Sequence, residues 1–190
     1  MIAYLSRDHA GKQWNLDDRG ASFAGNVEAM LTPIYMLAME RRLLALGHDV
    51  MWLCDGSYSE RHARCVQYAK TDTASSVYLA CHLNAGAGDY GAAFYDGRSS
   101  MGLAAATQVV LALDEACPEL GRVRVVKSKS TDWTNHAYNT ISGVYVGRPC
   151  ALCLEPCFID APDHADLLTT RGLDRMGTAI ADGLHAWATP

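Results

Sequence analysis

Apolar residues along this chain fall into short unbroken runs of strand length and longer stretches with helical spacing. Ile2 to Ser6 predicts a first strand, followed by a polar, glycine-containing loop from Arg7 to Gly25. From Val27 to Leu46 the apolar positions Val27, Met30, Leu31, Ile34, Leu37, Ala38 and Leu44 predict a helix, with Asn26 as its cap. Pro33 lies in the first turns, so this helix either begins there or is kinked, and Gly47 is placed to stop it. Asp49 to Cys54 reads as a strand and Glu60 to Lys70 as a helix. Ser76 to Leu83 is a continuous apolar run, the pattern of a strand buried on both faces. Gly91 to Tyr95 suggests another strand, Gly102 to Ala116 an Ala- and Leu-rich helix, and Val123 to Val126 a short strand. Ser128 to Thr140 reads as a polar loop, Cys150 to Cys157 as the last core strand, and Asp163 to Trp187 as a closing helical region.

Strands alternating with helices imply an α/β fold, a three-layer α/β/α arrangement around a twisted, mostly parallel sheet. The 190 residues suit one domain spanning 1–190, with no linker, repeat or low-complexity segment. Hydrophobic content of 49% and charged content of 19% exclude a disordered chain. A net charge of −5 gives no attraction to nucleic acid. No apolar stretch reaches the roughly 20 residues that a membrane span requires, so membrane insertion is not expected. Met1 to Gln13 lacks a basic-then-apolar signal pattern, so the expectation is synthesis in the cytoplasm without a signal peptide.

Among seven cysteines, Cys150, Cys153 and Cys157 have a spacing that invites a metal-site reading. Yet Cys150 and Cys153 lie on a predicted strand, where a separation of three points them to opposite faces. Core packing is the favoured reading, and an odd count argues against a disulfide framework.

Candidate chemistry gathers at strand ends. His9 follows the first strand by a few residues, His82 sits near the end of the third, and Glu155 ends the last core strand. Glu28 opens the first long helix. In open α/β sheets the site lies beyond the carboxyl ends of the strands, so all four can reach one edge. Two imidazoles and a carboxylate suit one zinc ion with an open position, and a glutamate beside it can move protons. The plainer alternatives stay open: histidines that only hydrogen-bond, and a glutamate that only favours its helix amino terminus.

The segments Asp8-His9-Ala10-Gly11, Glu28, Ala80-Cys81-His82-Leu83-Asn84-Ala85 and Leu154-Glu155-Pro156-Cys157-Phe158-Ile159 fall in that order along the chain. Together they resemble the zinc-dependent N-acetylmuramoyl-L-alanine amidases of the amidase type 3 family. Members of that family carry Gly-His-Gly-Gly, a helix glutamate, Ser-x-His-x-Asn and Leu-x-Glu followed by Gly-Phe. Arg64, Ala69, Arg148-Pro149 and Pro162-Asp163 also fit, so the resemblance covers essentially the whole chain. It implies hydrolysis of the bond between the lactyl group of N-acetylmuramic acid and L-alanine in peptidoglycan. It further implies one Zn2+ held by His9, Glu28 and His82, with Glu155 catalytic. Asp8 stands where a glycine is usual and Cys157 where the glycine of Gly-Phe falls, which bears on local loop geometry.

Asn84 is read either as positioning the loop around His82 or as a turn former. His136, in Asp132-Trp133-Thr134-Asn135-His136, is a candidate to bind a peptide stem or transition-state oxygen, or else a solvent-exposed loop residue. Trp14 and Trp133 either stack on sugar faces or pin their loops. His62, His164 and His185 read as surface residues on helices, and Arg61 and Arg64 as solvated or salt-bridged. Two other functions remain in view. One is a zinc carboxypeptidase-like or acyl-amino-acid hydrolase, with Arg148 as the carboxylate-binding candidate. The other is a non-catalytic wall-binding protein of the same fold, which has no need of Glu155. A chain without a signal peptide or wall-binding module fits a phage endolysin, released to the wall through a holin-made hole.

Overall fold

In the computed structural model, residues 1–9, 18–71, 75–144 and 150–189 are described. Ala10, Gly11, Trp14, Arg148 and Pro149 lie outside the described residues. Strand β1 (Ile2–Arg7) comes first, then a two-residue hairpin, β2 (Ser22–Phe23) and β3 (Asn26–Val27), and helix α1 (Glu28–Ala45). β4 (Asp49–Trp52), α2 (Tyr58–Ala69), β5 (Ser76–Cys81), β6 (Gly91–Asp96) and α3 (Ser100–Ala116) follow. The remainder is β7 (Val123–Ser128), α4 (Asn135–Ile141), β8 (Cys150–Glu155) and α5 (Thr170–Ala188), with single 3-10 turns at Pro118–Leu120 and Pro162–His164.

Six strands form one sheet in the order β4-β1-β5-β8-β6-β7. β4, β1, β5 and β8 run parallel, β6 opposes β8, and β7 runs parallel to β6. β5 and β8 are buried at every position, which is why their sequences read as unbroken apolar runs. Their side chains nonetheless divide by parity. Leu5, Val77, Leu79, Cys150, Leu152 and Leu154 pack with Met36, Met39, Val109 and Ile180 of α1, α3 and α5. Tyr4, Tyr78, Ala80, Ala151 and Cys153 pack on the other face with Cys65 and Ala69 of α2 and Ala137 and Ile141 of α4. The three expected layers are thus present. Cys150 and Cys153 lie on opposite faces of the sheet, and all seven cysteines are free thiols. Buried leucine-sized side chains each contribute about 1.5–3 kcal/mol, so these two interfaces account for much of the stability. Helix α5 crosses α1 closely at Gly177, where a Cβ would press into the Tyr35 carbonyl.

Three local expectations change. Asn26 does not cap α1; it belongs to the hairpin, and the helix begins at Glu28. The first helical amides are bonded instead by loop carbonyls, Glu28 N–H to Ala21 O at 2.9 Å and Ala29 N–H to Arg19 O at 3.0 Å. Helix α4 occupies part of the segment expected to be a polar loop, because Ala137 and Ile141, four residues apart, bury one face of a short turn-rich stretch. His62 and His164 are buried rather than superficial, at 6% and 0% exposure. The His62 Nε2–H reaches the Thr140 carbonyl at 2.7 Å. Gly47, with φ 79°, ends α1 as expected.

Candidate metal and catalytic site

Parallel pairing of β1, β5 and β8 brings their carboxyl ends side by side, and three of the four candidate residues emerge there. His9 lies two residues beyond β1, His82 immediately follows β5, and Glu155 is the last residue of β8. The hairpin β2–β3 returns the chain to the same edge, so that α1 starts with Glu28 facing His82. They line one cleft of about 400 Å³, shared with Tyr58, Asn84, His136 and Asn139.

Three donor atoms converge. Glu28 Oε1 lies 3.3 Å from His9 Nε2 and 3.1 Å from His82 Nδ1. One ligand atom from each of His9, Glu28 and His82 lies within 4.8 Å of the others, the one such group among the described residues. Glu28 is 2% exposed. Its carboxylate also accepts from the Leu83 amide through Oε1 and from the Ala21 amide through Oε2, both at 2.9 Å. These bonds tie it to the loop before α1 and to the segment after β5, while it also stands in the first turn of its own helix. Burial works against its charge, but the bond to His82 and the nearness of both imidazoles hold its carboxyl below the usual range. Gly20, with φ 65°, threads between Glu28 and His9 where a Cβ would collide with both.

Each imidazole turns its second nitrogen to another carboxylate. His9 Nδ1 is 3.2 Å from Asp18 Oδ1, in a half-open setting with side chains 23% and 21% exposed. His82 Nε2 is 2.9 Å from Asp8 Oδ2, and the Asp8 side chain is fully buried. Despite burial, which opposes the charge, Asp8 and Glu28 push His82 up to about 10. Metal-binding histidines commonly present their other ring nitrogen to a carboxylate, so this donor set fits a divalent cation of the zinc type.

Glu155 lines the same cleft, 5% exposed. Its Oε1 is 3.1 Å from His136 Nε2, while Oε2 is buried with no hydrogen-bond partner among the described residues. His136, at the start of α4, also donates from Nδ1 to the Trp133 carbonyl at 3.0 Å. The Glu155 bond raises the His136 pKa against partial burial and the nearby His82. Its ring meets Phe94 edge-on at 5.5 Å, so this half-exposed histidine is fixed at the cleft rather than loose in a loop. Asn84 bonds its Oδ1 to the Ala85 amide, and its backbone pairs with the segment after β8, from Asn84 N–H to Cys157 O and from Ile159 N–H to Asn84 O. Among the described residues its side chain is a turn former at the rim of the cleft.

Asp8, Asp18, Tyr58 and Asn139 were not among the expected site residues. Asp8 carried a signal, being a polar residue where the resembled pattern has glycine; the other three carried none, since each stands in an ordinary polar or helical context.

No family profile and no curated protein matches the sequence. Solved structures do. Cwp6 from Clostridium difficile superposes with a TM-score of 0.76 at 21% identity over 100% of this chain, which spans 29% of that protein. The N-acetylmuramyl-L-alanine amidase Ami1 from Mycobacterium smegmatis superposes with a TM-score of 0.75 at 15% identity, covering 99% of this chain and 96% of that one. The catalytic domain of the CD27L endolysin, which targets Clostridia difficile, gives 0.63 at 17% identity, with 97% and 96% covered. Likeness of this kind establishes the architecture: the chain has the α/β fold of solved N-acetylmuramoyl-L-alanine amidases.

Proposed function

We propose that this chain hydrolyses the amide bond between the lactyl group of N-acetylmuramic acid and L-alanine in peptidoglycan, using one zinc ion. The observation that carries the reading is the convergence of His9 Nε2, Glu28 Oε1 and His82 Nδ1 in a cleft that Glu155 also lines. The amidases among its structural neighbours support the choice of substrate. His9, Glu28 and His82 would hold the zinc, which when bound acts as a Lewis acid toward a carbonyl and lowers the pKa of water from about 15.7 toward about 7.

Glu155 supplies the proton chemistry. Its Oε2, free of any bond to the described residues, accepts a proton from the attacking water as the oxygen adds to the lactyl carbonyl carbon. The same carboxyl then gives that proton to the alanine nitrogen as the carbon–nitrogen bond breaks. A lactyl carboxylate and a free L-alanine amino terminus result. His136 holds Oε1, which leaves the other oxygen without a hydrogen bond to the described residues. The exposed edge of His136 would meet the peptide stem, and its position in the cleft lining supports that role. Glu155 also separates this reading from a wall-binding protein, because zinc alone does not require it. We place the activity at the bacterial cell wall, and the likeness to an endolysin catalytic domain supports a lytic, phage-derived setting. No helix among the described residues is long and apolar enough to cross a membrane.

Purified peptidoglycan incubated with the protein should lose turbidity and gain new L-alanine amino termini, and a chelator should prevent both. Release of free carboxyl-terminal amino acids instead would assign the site to a carboxypeptidase-like hydrolase.

A further inference from the structure

Behind His82 lies a buried polar assembly that the hydrolytic scheme does not use. Asp8 Oδ2 accepts from His82 Nε2 at 2.9 Å. Its other oxygen, Oδ1, accepts from Ser6 Oγ at 2.5 Å and from Arg61 Nη1 at 3.2 Å. Arg61 reaches this point from α2, and its Nη1 also donates to the Arg7 carbonyl at 2.9 Å and to Ser6 Oγ at 3.2 Å. The side chains of both Asp8 and Arg61 are 0% exposed. A charge removed from water this completely is tolerated only when it is paired and hydrogen-bonded. Here the arginine neutralises the aspartate and fixes which of its oxygens faces His82.

The consequence falls on the histidine. A neutral imidazole carries one proton, and a ring that offers the lone pair of Nδ1 to a cation must keep its proton on Nε2. A carboxylate can only accept, so an oxygen 2.9 Å from Nε2 selects that tautomer and sets the ring plane. Arg61 and Ser6 occupy the other oxygen and prevent the carboxylate from rotating away. His9 has a counterpart in Asp18, but that pair is partly open to solvent, where exposed pairs contribute little.

We propose that Asp8, locked by Arg61 and Ser6, is the positioning residue of the candidate metal site: it orients His82 and reserves its Nδ1 for the cation. The inference rests on the reading of His9, Glu28 and His82 as metal ligands. It explains why a fully buried aspartate stands beside His9 where the resembled pattern has a glycine. Substitution by asparagine turns the logic around. With its oxygen kept by Arg61 and Ser6, the amide nitrogen becomes a donor toward Nε2 and favours the tautomer with the proton on Nδ1.

The test is zinc affinity, measured by competition with a chromophoric chelator, in wild type, Asp8→Asn, Asp18→Asn and His82→Ala. Loss of such a supporting partner typically weakens metal binding about 10–100-fold. That loss is expected for Asp8→Asn, and a loss of only a few-fold for Asp18→Asn. Because Asp8→Asn leaves the Arg61 charge without the Asp8 carboxylate, the double variant Asp8→Ala with Arg61→Met removes both charges and any acceptor for Nε2 at that position, and should show weakened affinity in a folded protein. Proton NMR of the zinc-loaded protein gives a second readout. The His82 Nε2–H should resonate far downfield and exchange slowly in wild type, and that signal should vanish in both Asp8 variants. Folded Asp8 variants that bind zinc within about threefold of wild type would overturn the proposal, as would weakened binding with the Nε2–H signal retained. Should wild type bind zinc no more tightly than His82→Ala, the metal reading itself fails, and this inference with it.

Discussion

Replacing Glu155 with glutamine exchanges one carboxylate oxygen for an NH2 group, nearly unchanged in shape but without the basicity. The carboxylate accepts from His136 through Oε1 at 3.1 Å, and its Oε2 is buried with no hydrogen-bond partner among the described residues. In Glu155→Gln the amide oxygen can keep the His136 bond, which leaves the NH2 group where the proton acceptor stood. General acid–base assistance is worth about 10²–10⁴ in rate, or about 2.7–5.4 kcal/mol of barrier at 1.36 kcal/mol per tenfold. The structure argues for the upper part of that range, since Glu28, the other carboxylate given as lining the cleft, has both oxygens engaged by backbone amides. The assay is the initial rate of appearance of L-alanine amino termini from purified peptidoglycan, with zinc content measured on the same preparations by elemental analysis. Activity should fall at least a hundredfold while zinc content and fold are retained. A variant with activity within tenfold of wild type would refute the assignment of proton transfer to Glu155.

Other consequences concern electrostatics and packing. His136 is held above its ordinary 6.5 chiefly by its bond to Glu155, so its NMR titration midpoint should lie above that value and drop in Glu155→Gln; an unchanged midpoint would contradict the pairing. His62 is held below 6.5 by burial, despite the Thr140 carbonyl that favours its charge. The unfolded chain therefore binds its proton more readily, and stability present above about pH 6.5 is lost as pH falls toward the depressed folded value. The unfolding midpoint of wild type should decline more steeply with acid than that of His62→Gln, and equal slopes would count against a buried neutral imidazole. Gly177→Ala should destabilise by about 1–3 kcal/mol in urea unfolding because the new methyl meets the Tyr35 carbonyl across α1 and α5; the gain of about 0.5–1 kcal/mol usual for a helical glycine replaced by alanine would show the helices free to separate.

The parts of the molecule legible in the sequence are those in which a residue's surroundings are its own neighbours in the chain. β5 and β8 are buried at every position, so their apolar runs stand out, and with them the positions of His82 and Glu155 at their ends. The opposite facing of Cys150 and Cys153 follows from strand geometry alone. Long-range polar pairing left no such trace. Asp8 and Arg61 meet across 53 residues, and an arginine on a helix reads as solvated or salt-bridged with no sign of its partner or of its burial until the fold closes over it. His62 and His164 were misread for the same reason: a histidine's burial depends on what packs against it, here Tyr78 for one and Phe158 for the other. Helix α4 was hidden because Asn135, His136, Asn139 and Thr140 give it a polar composition, and only Ala137 and Ile141 pay for its order by packing on the sheet. Its recovery matters, since it carries His136 to Glu155.

Elemental analysis of zinc in dialysed wild-type protein and in His9→Ala, Glu28→Ala and His82→Ala tests the central arrangement most directly. The converging donor atoms predict one zinc per chain in wild type and a loss of bound zinc in each folded variant. Wild-type protein without zinc affinity, or variants that retain the metal in full, would contradict the site.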